Sequence, residues 1–137
     1  MSYFQASGGV LGPYLVGSFS VSKTAETVMQ LINPTSSTLV AMIALFGVNG
    51  ALVAPGRKQT VPPNGMVEVI LRAMEPKAQL GVIKVVTMDA DGKMPTPGLV
   101  GYQRKAINNG DFSETILQPV PVEILKADLS RILAAFA

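Results

Sequence analysis

Apolar and polar residues alternate with a period of two along most of this chain, and polar turn clusters cut the alternation into pieces of strand length. Thr38 to Phe46 differs, because both alternating sets are apolar: Leu39, Ala41, Ile43 and Leu45 on one face, Val40, Met42, Ala44 and Phe46 on the other. A helix is the competing reading of this run. The Asn33-Pro34-Thr35 turn before it, its length, and Val48-Asn49-Gly50 after it favour a strand, since Asn-Gly suits the positive-φ positions of a hairpin turn. Such a strand must be covered on both faces, one by the opposing sheet and the other by a C-terminal helix or a neighbouring subunit.

The remaining segments follow the same grammar. Pro13 to Val16 and Ser18 to Val21 predict a first strand, with Pro13 at its start or on an edge. Glu26 to Ile32 predicts a second. Ala51 to Val53 with Gln59 to Val61 predicts a returning strand interrupted near Pro55-Gly56, and Pro62-Pro63-Asn64-Gly65 is the strongest turn signal. Met66 to Leu71, Leu80 to Met88, Leu99 to Lys105 and Ser113 to Leu117 complete the strands, separated by loops at Met74 to Lys77, Asp89 to Gly98 and Asn108 to Asp111. The fold class is all-β, an antiparallel β-sandwich of seven or eight strands closed by a C-terminal amphipathic helix. Its expected core includes Leu39, Ile43, Leu45, Val67, Val69, Val82, Val86 and Leu99.

After Pro119-Val120-Pro121 the period changes to that of a helix. Leu125, Leu129, Ile132, Leu133 and Phe136 share one face, with Lys126, Asp128, Ser130 and Arg131 opposite. The organisation read from these signals is one domain over residues 1–137, with a flexible arm over 1–12 and a helix over 122–137. A helix of this length is marginal alone in water, so it must dock. Its own sandwich and a neighbouring subunit are both available partners, and a membrane surface is disfavoured by the few cations on its polar face.

Composition narrows function. Of 137 residues 48% are hydrophobic and only 15% charged, less polar cover than the roughly 25% usual in soluble domains, which predicts apolar surface buried against another copy. Cysteine and histidine are both absent. That removes thiolate chemistry and the side chain most used for proton transfer and metal ligation near neutral pH, so the expectation is a protein that is not an enzyme and carries no cofactor. Apolar runs stay short of the roughly 18 residues of a membrane helix, the first residues lack the pattern of a signal peptide, and the expected location is cytoplasmic.

A few segments are candidate sites. Asp89-Ala90-Asp91-Gly92 has two carboxylates and a glycine, as in a calcium loop, but Lys93-Met94-Pro95 follows where further ligands belong, so a solvated hairpin loop is favoured and no metal is expected. Alternation in Gly98 to Lys105 puts Tyr102 and Arg104 on one face, a pair suited to a polar ligand such as a saccharide. The competing reading of that strand is a sheet with solvated charges, whose glycines admit neighbouring backbone. Arg57, Lys58, Arg72, Lys77, Arg104 and Lys105 supply the only basic patch that nucleic acid could use, and with 6% aromatic residues that partner is disfavoured. Glu68, Glu114, Ser113 and Lys84 are the residue types a hydrolase without histidine would need, at spacings that establish no proximity.

Gly12-Pro13-Tyr14, the strand opened by Glu26-Thr27-Val28 and leading to Asn33, the apolar strand after it, and Thr60-Val61-Pro62 entering a turn together resemble the sensory rhodopsin transducer family of small β-sandwich proteins. The similar portion runs from about Gly12 to Lys105. The resemblance implies a homotetramer that relays or scaffolds through protein contacts, with ligand or DNA contacts proposed for some members and no catalytic residue. The Asp89 to Gly98 loop and the C-terminal helix depart from it, and a rhodopsin partner is not carried over. The function expected is therefore a non-catalytic, homo-oligomeric scaffold or adaptor with an unknown protein partner, and the alternative is a module binding a small polar ligand. Val40, Met42, Ala44 and Phe46, with the helix face of Leu125, Leu129, Ile132, Leu133 and Phe136, form the expected oligomer interface.

Overall fold

Among the described residues, antiparallel pairing joins nine strands into two sheets. The computed structural model describes residues 12–75, 77, 79–107 and 112–136. The expected arm over 1–12, Gly12 apart, and the turn at 108–111 lie outside the described residues. The strands are β1 (Tyr14–Val21), β2 (Ala25–Ile32), β3 (Leu39–Gly47), β4 (Arg57–Val61), β5 (Met66–Ile70), β6 (Gln79–Asp89), β7 (Val100–Ile107), β8 (Phe112–Ile116) and β9 (Gln118–Pro119), with helices α1 (Leu71–Met74) and α2 (Val122–Ala134). One sheet has the order β4-β3-β6-β1-β9 and the other β5-β2-β7-β8. The all-β sandwich with a C-terminal helix is the expected fold class; the strand beyond the expected count is β9, a two-residue pairing of Leu15 with Pro119 and Val16 with Gln118.

Turn chemistry sets the strand ends. Gly50 takes φ 85° in the turn after β3, and Asn64 takes φ 55° at the third position of the Pro62 to Gly65 turn, where the Gly65 amide donates to the Pro62 carbonyl. Asn33 is fully buried and uses both ends of its amide: Nδ2 donates to the Ser37 and Val61 carbonyls, while Oδ1 accepts from the Thr35 amide and hydroxyl. This ties the turn before β3 to β4 and leaves no buried polar cost.

Two hydrophobic layers result. Between the sheets lie Phe19, Met29, Leu31, Ile43, Leu45 and their neighbours. On the outer face of the five-stranded sheet, Tyr14, Met42, Ala44, Phe46, Val86 and Met88 pack with Leu125, Ile132 and Ala135 of the C-terminal region. Of the expected core, Leu39, Ile43, Leu45, Val69 and Leu99 are buried between the sheets, whereas Val67 is half-buried. Two residues belong to the other layer: Val86 is buried beneath α2, and Val82 shares its side of β6 but is only half-buried. The inward side of β6 is instead Ile83 and Val85. Lys84 shares the side of Val82 and Val86, and this charge is the signal in the sequence that the side faces away from the inter-sheet core.

Two further elements differ from expectation. Leu71, expected to end β5, begins the short helix α1, where its side chain is fully buried and Arg72 donates to the carbonyls of Ser22 and Ala25. Leu52 forms only an isolated bridge to Phe46, so the returning strand is confined to β4.

Gly101 and Gly17 allow the sheets to close on Leu117. A Cβ on Gly101 would lie 2.8 Å from Leu117 Cγ and 2.9 Å from its Cβ, and Leu117 is 1% exposed, so it has little room to yield. Gly101→Ala should therefore cost about 1–3 kcal/mol through overpacking, read as a lower urea midpoint at unchanged slope.

Candidate functional site

The two outer faces of the sandwich have different fates. On the five-stranded sheet, Val40, Met42, Ala44 and Phe46 lie against α2, so the row of side chains expected to need cover has one within the same chain. Leu125 and Ile132 are buried there, and Leu129 and Phe136 pack against them. Leu133 departs from the expected face and is 40% exposed. Asp128, expected on the polar side, faces the sheet.

Asp128 is the polar centre of this contact. Its Oδ2 accepts from Tyr14 Oη at 2.6 Å and from Lys84 Nζ at 2.6 Å, and Arg131 approaches Oδ1 at 3.6 Å. Lys84 and Arg131 lie 4.8 Å and 5.3 Å from the centroid of the Phe46 ring. Burial alone would raise the Asp128 carboxyl, but hydrogen bonds from Lys84 and Tyr14 and the charges of Lys84 and Arg131 hold it below the ordinary carboxylate range. Burial, with the adjacent Asp128 carboxylate, pushes the Tyr14 hydroxyl well above its usual value. At the far end of the helix, Arg131 donates to the Gly50 carbonyl, the Gly56 amide donates to the Ala135 carbonyl, and Gly56 accommodates the Phe136 ring. Lys84 is thus engaged with Asp128 in docking the helix.

The outer face of the four-stranded sheet carries no helix among the described residues. Cross-strand pairing places Glu68 of β5 beside Gln30 of β2, Gln30 beside Tyr102 of β7, and Tyr102 beside Ile116 of β8. In the next row Ile70, Val28, Arg104 and Glu114 follow in the same order. Side chains of both rows line a groove of about 320 Å³ over Val28 and Ala106. Gln30 Nε2 donates to Glu68 Oε2 at 3.3 Å, and Arg104 stands directly across from Glu114. The exposed Ile32, Met66 and Ile70 share this sheet face.

Tyr102 and Arg104 do share a face, as expected, and the fold adds Gln30, Glu68 and Glu114 from three other strands. Gln30 escaped the sequence reading; its signal was a polar residue at an outward position of β2, between Val28 and Ile32. Glu68 and Glu114 sit on opposite edge strands, three strand spacings or about 14 Å apart at the backbone, and both line the groove. Across β7, Gln103 points inward and Lys105 donates to Ser18 of the other sheet. Gln103 is 3% exposed, and its Nε2 donates to the Ser18 carbonyl while its Oε1 has no hydrogen-bond partner among the described residues.

The other candidates resolve into structural roles. Asp89 Oδ1 accepts from the Lys93 and Met94 amides, and these backbone donors, Lys93 foremost, lower its pKa, so the Asp-Ala-Asp-Gly loop uses that carboxylate to build its own turn. No metal-holding cluster occurs among the described residues. The basic residues are dispersed: Arg57 and Lys58 on β4 of one sheet, Arg104 on β7 of the other, and Arg72 against the β1–β2 turn. Among the described residues, no helix is long and apolar enough to cross a membrane.

No protein-family model and no curated protein matches the chain. A solved crystal structure, that of Thermotoga maritima 1070, is similar in fold: the match has a TM-score of 0.58 at 13% identity and covers 79% of this chain and 97% of that one. At this identity the likeness defines a shared β-sandwich fold.

Replacing Asp128 by Asn leaves the half-buried Lys84 without its carboxylate and should cost about 1–3 kcal/mol. Because the folded pKa of Asp128 lies below the unfolded value, its contribution is complete above about pH 4 and is lost as pH falls through the folded pKa. Thermal melts of the two proteins should therefore differ at pH 7 and converge as the pH is lowered below 4.

Proposed function

We propose that this protein is a cytoplasmic, non-catalytic binding module that holds a small polar ligand, of which a saccharide is the model case, on the outer face of its four-stranded sheet. The observation carrying this reading is the groove that collects Tyr102, Arg104, Gln30, Glu68 and Glu114 from all four strands of one rigid sheet. Its chemistry is that of recognition. An aromatic ring offers an apolar face to a sugar ring, while an amide, a guanidinium and carboxylates supply donors and acceptors for hydroxyl groups. The engagement of Lys84 with Asp128, on the far sheet from Ser113, speaks for binding over hydrolysis.

A second reading, a homo-oligomeric scaffold or adaptor, draws on the exposed Ile32, Met66 and Ile70 of the same face and on the low charge content. Its assembly would be the tetramer implied by the resemblance to the sensory rhodopsin transducer family. With the Val40 to Phe46 row beneath α2, this reading moves the interface to the four-stranded sheet.

A thermal-shift panel of neutral saccharides separates the two. A ligand module should show a rise in Tm with a specific member, lost in Tyr102→Ala with the unliganded Tm changed by only a few degrees. An assembly module should show a native mass of several chains that falls in Met66→Asp, with no shift across the panel. A monomer that responds to no ligand would sink both readings.

A further inference from the structure

A second groove, of about 400 Å³, lies on the other side of the molecule, where α2 begins. One wall is the helical stripe of Val122, Leu125 and Leu129, at steps of three and four. The facing wall is Pro95 and Pro97 of the β6–β7 loop, closed by Gly12 and Pro13. Prolines have no backbone N–H, and helix amides beyond the first turn are used within the helix, so the groove offers few donors to a ligand. Its walls are also fastened to the sheet. The Pro13 carbonyl accepts from the Thr87 amide at 2.7 Å, the Thr96 amide donates to the Thr87 carbonyl at 2.8 Å, and Pro95 bridges Met88. Leu125 is 2% exposed at the base, while Val122 is 41% exposed at the rim. The groove is therefore preformed and apolar.

Lys126 is the single charged residue lining it. That side chain is exposed and forms no ion pair with a carboxylate of any described residue, Glu123 included. A donor-poor hydrocarbon surface with one cation at its rim is complementary to a hydrocarbon chain ending in one negative charge. We propose that this groove binds a free medium-chain aliphatic carboxylate, its chain lying between α2 and the Pro95–Pro97 loop and its carboxylate at Lys126. The site is separate from the sheet-face groove and does not rest on the function assigned to that face.

Calorimetric titration with decanoate below its micelle concentration tests this, using decan-1-ol as the uncharged probe of equal length and the full chain as wild type, Lys126→Glu and Val122→Asp. Both substituted positions are exposed, and a melt of each variant checks that it is folded. The expected result is saturable decanoate binding weakened at least tenfold by Lys126→Glu and also weakened by Val122→Asp, while decanol affinity is unaffected by Lys126→Glu. Affinity should also rise about fourfold for each methylene added from hexanoate to decanoate, since a buried methylene contributes about 0.8 kcal/mol. Absence of binding, equal decanoate affinity in wild type and Lys126→Glu, or affinity independent of chain length would overturn the proposal. So would attachment to phosphatidylglycerol vesicles without binding of monomeric decanoate, which would make the groove a membrane contact. A native dimer disrupted by Val122→Asp and indifferent to decanoate would give the groove to a second copy of the chain.

Discussion

The pairing of β3 with β6 makes a double demand that the rest of the structure answers. β3 is apolar on both faces and β6 is so apart from Lys84 along its middle, and their nine-pair register from Leu39–Asp89 to Gly47–Gly81 forms the centre of the five-stranded sheet. One face is satisfied by the second sheet. The other would present Val40, Met42, Ala44, Phe46 and Val86 to water, and fully burying a valine, methionine or phenylalanine is worth roughly 1.5–3 kcal/mol each. The amphipathic α2 meets this demand, which makes the protein a three-layer stack of sheet, sheet and helix. Asp128 then fixes where the helix lies. Hydrophobic contact alone tolerates sliding, whereas a carboxylate holding both Tyr14 and Lys84 at 2.6 Å has one satisfactory position.

Local signals announced the sandwich because each strand ends in chemistry that works over a few residues. Asn49-Gly50 and Pro62 to Gly65 marked their turns through positive φ, and Asn33-Pro34-Thr35 marked the break before β3 through an amide that bonds its neighbours. What stayed hidden depends on partners far away in the chain. The side of β6 that carries Val82 and Val86 is marked as the outer one only by Lys84, and Val86 is buried there because the distant α2 lies over it. Asp128 looked like a solvated helix residue because its partners are 114 and 44 positions distant. Leu133 fitted the helical stripe by spacing, yet a helix crossing a flat sheet buries a narrower stripe than its full apolar arc, and Leu133 falls at the margin.

The candidate site was half legible for the same reason. Tyr102 and Arg104 sit two apart on one strand, and a period of two suffices to put them on one face. Gln30, Glu68 and Glu114 reach that face only through the order β5-β2-β7-β8, in which no two neighbouring strands apart from β7 and β8 are consecutive in sequence. The pairing of Gln30 with both Glu68 and Tyr102 is a consequence of sheet topology and register, which composition and spacing do not encode.

The two sheets spend their outer faces differently. The five-stranded sheet spends its outer face on α2, and its one strongly polar cluster, Asp128 with Lys84 and Tyr14, is consumed in holding that helix. The four-stranded sheet has its inner face filled by Met29, Leu31, Val69 and Leu99, so its outward residues are under no packing demand from the core. Polar groups are collected there: Gln30, Glu68, Tyr102, Arg104 and Glu114 line one groove on that face. A rigid sheet holds such groups at fixed spacings of about 4.8 Å between strands, so any partner that matches them meets a surface whose ordering cost has already been met by folding.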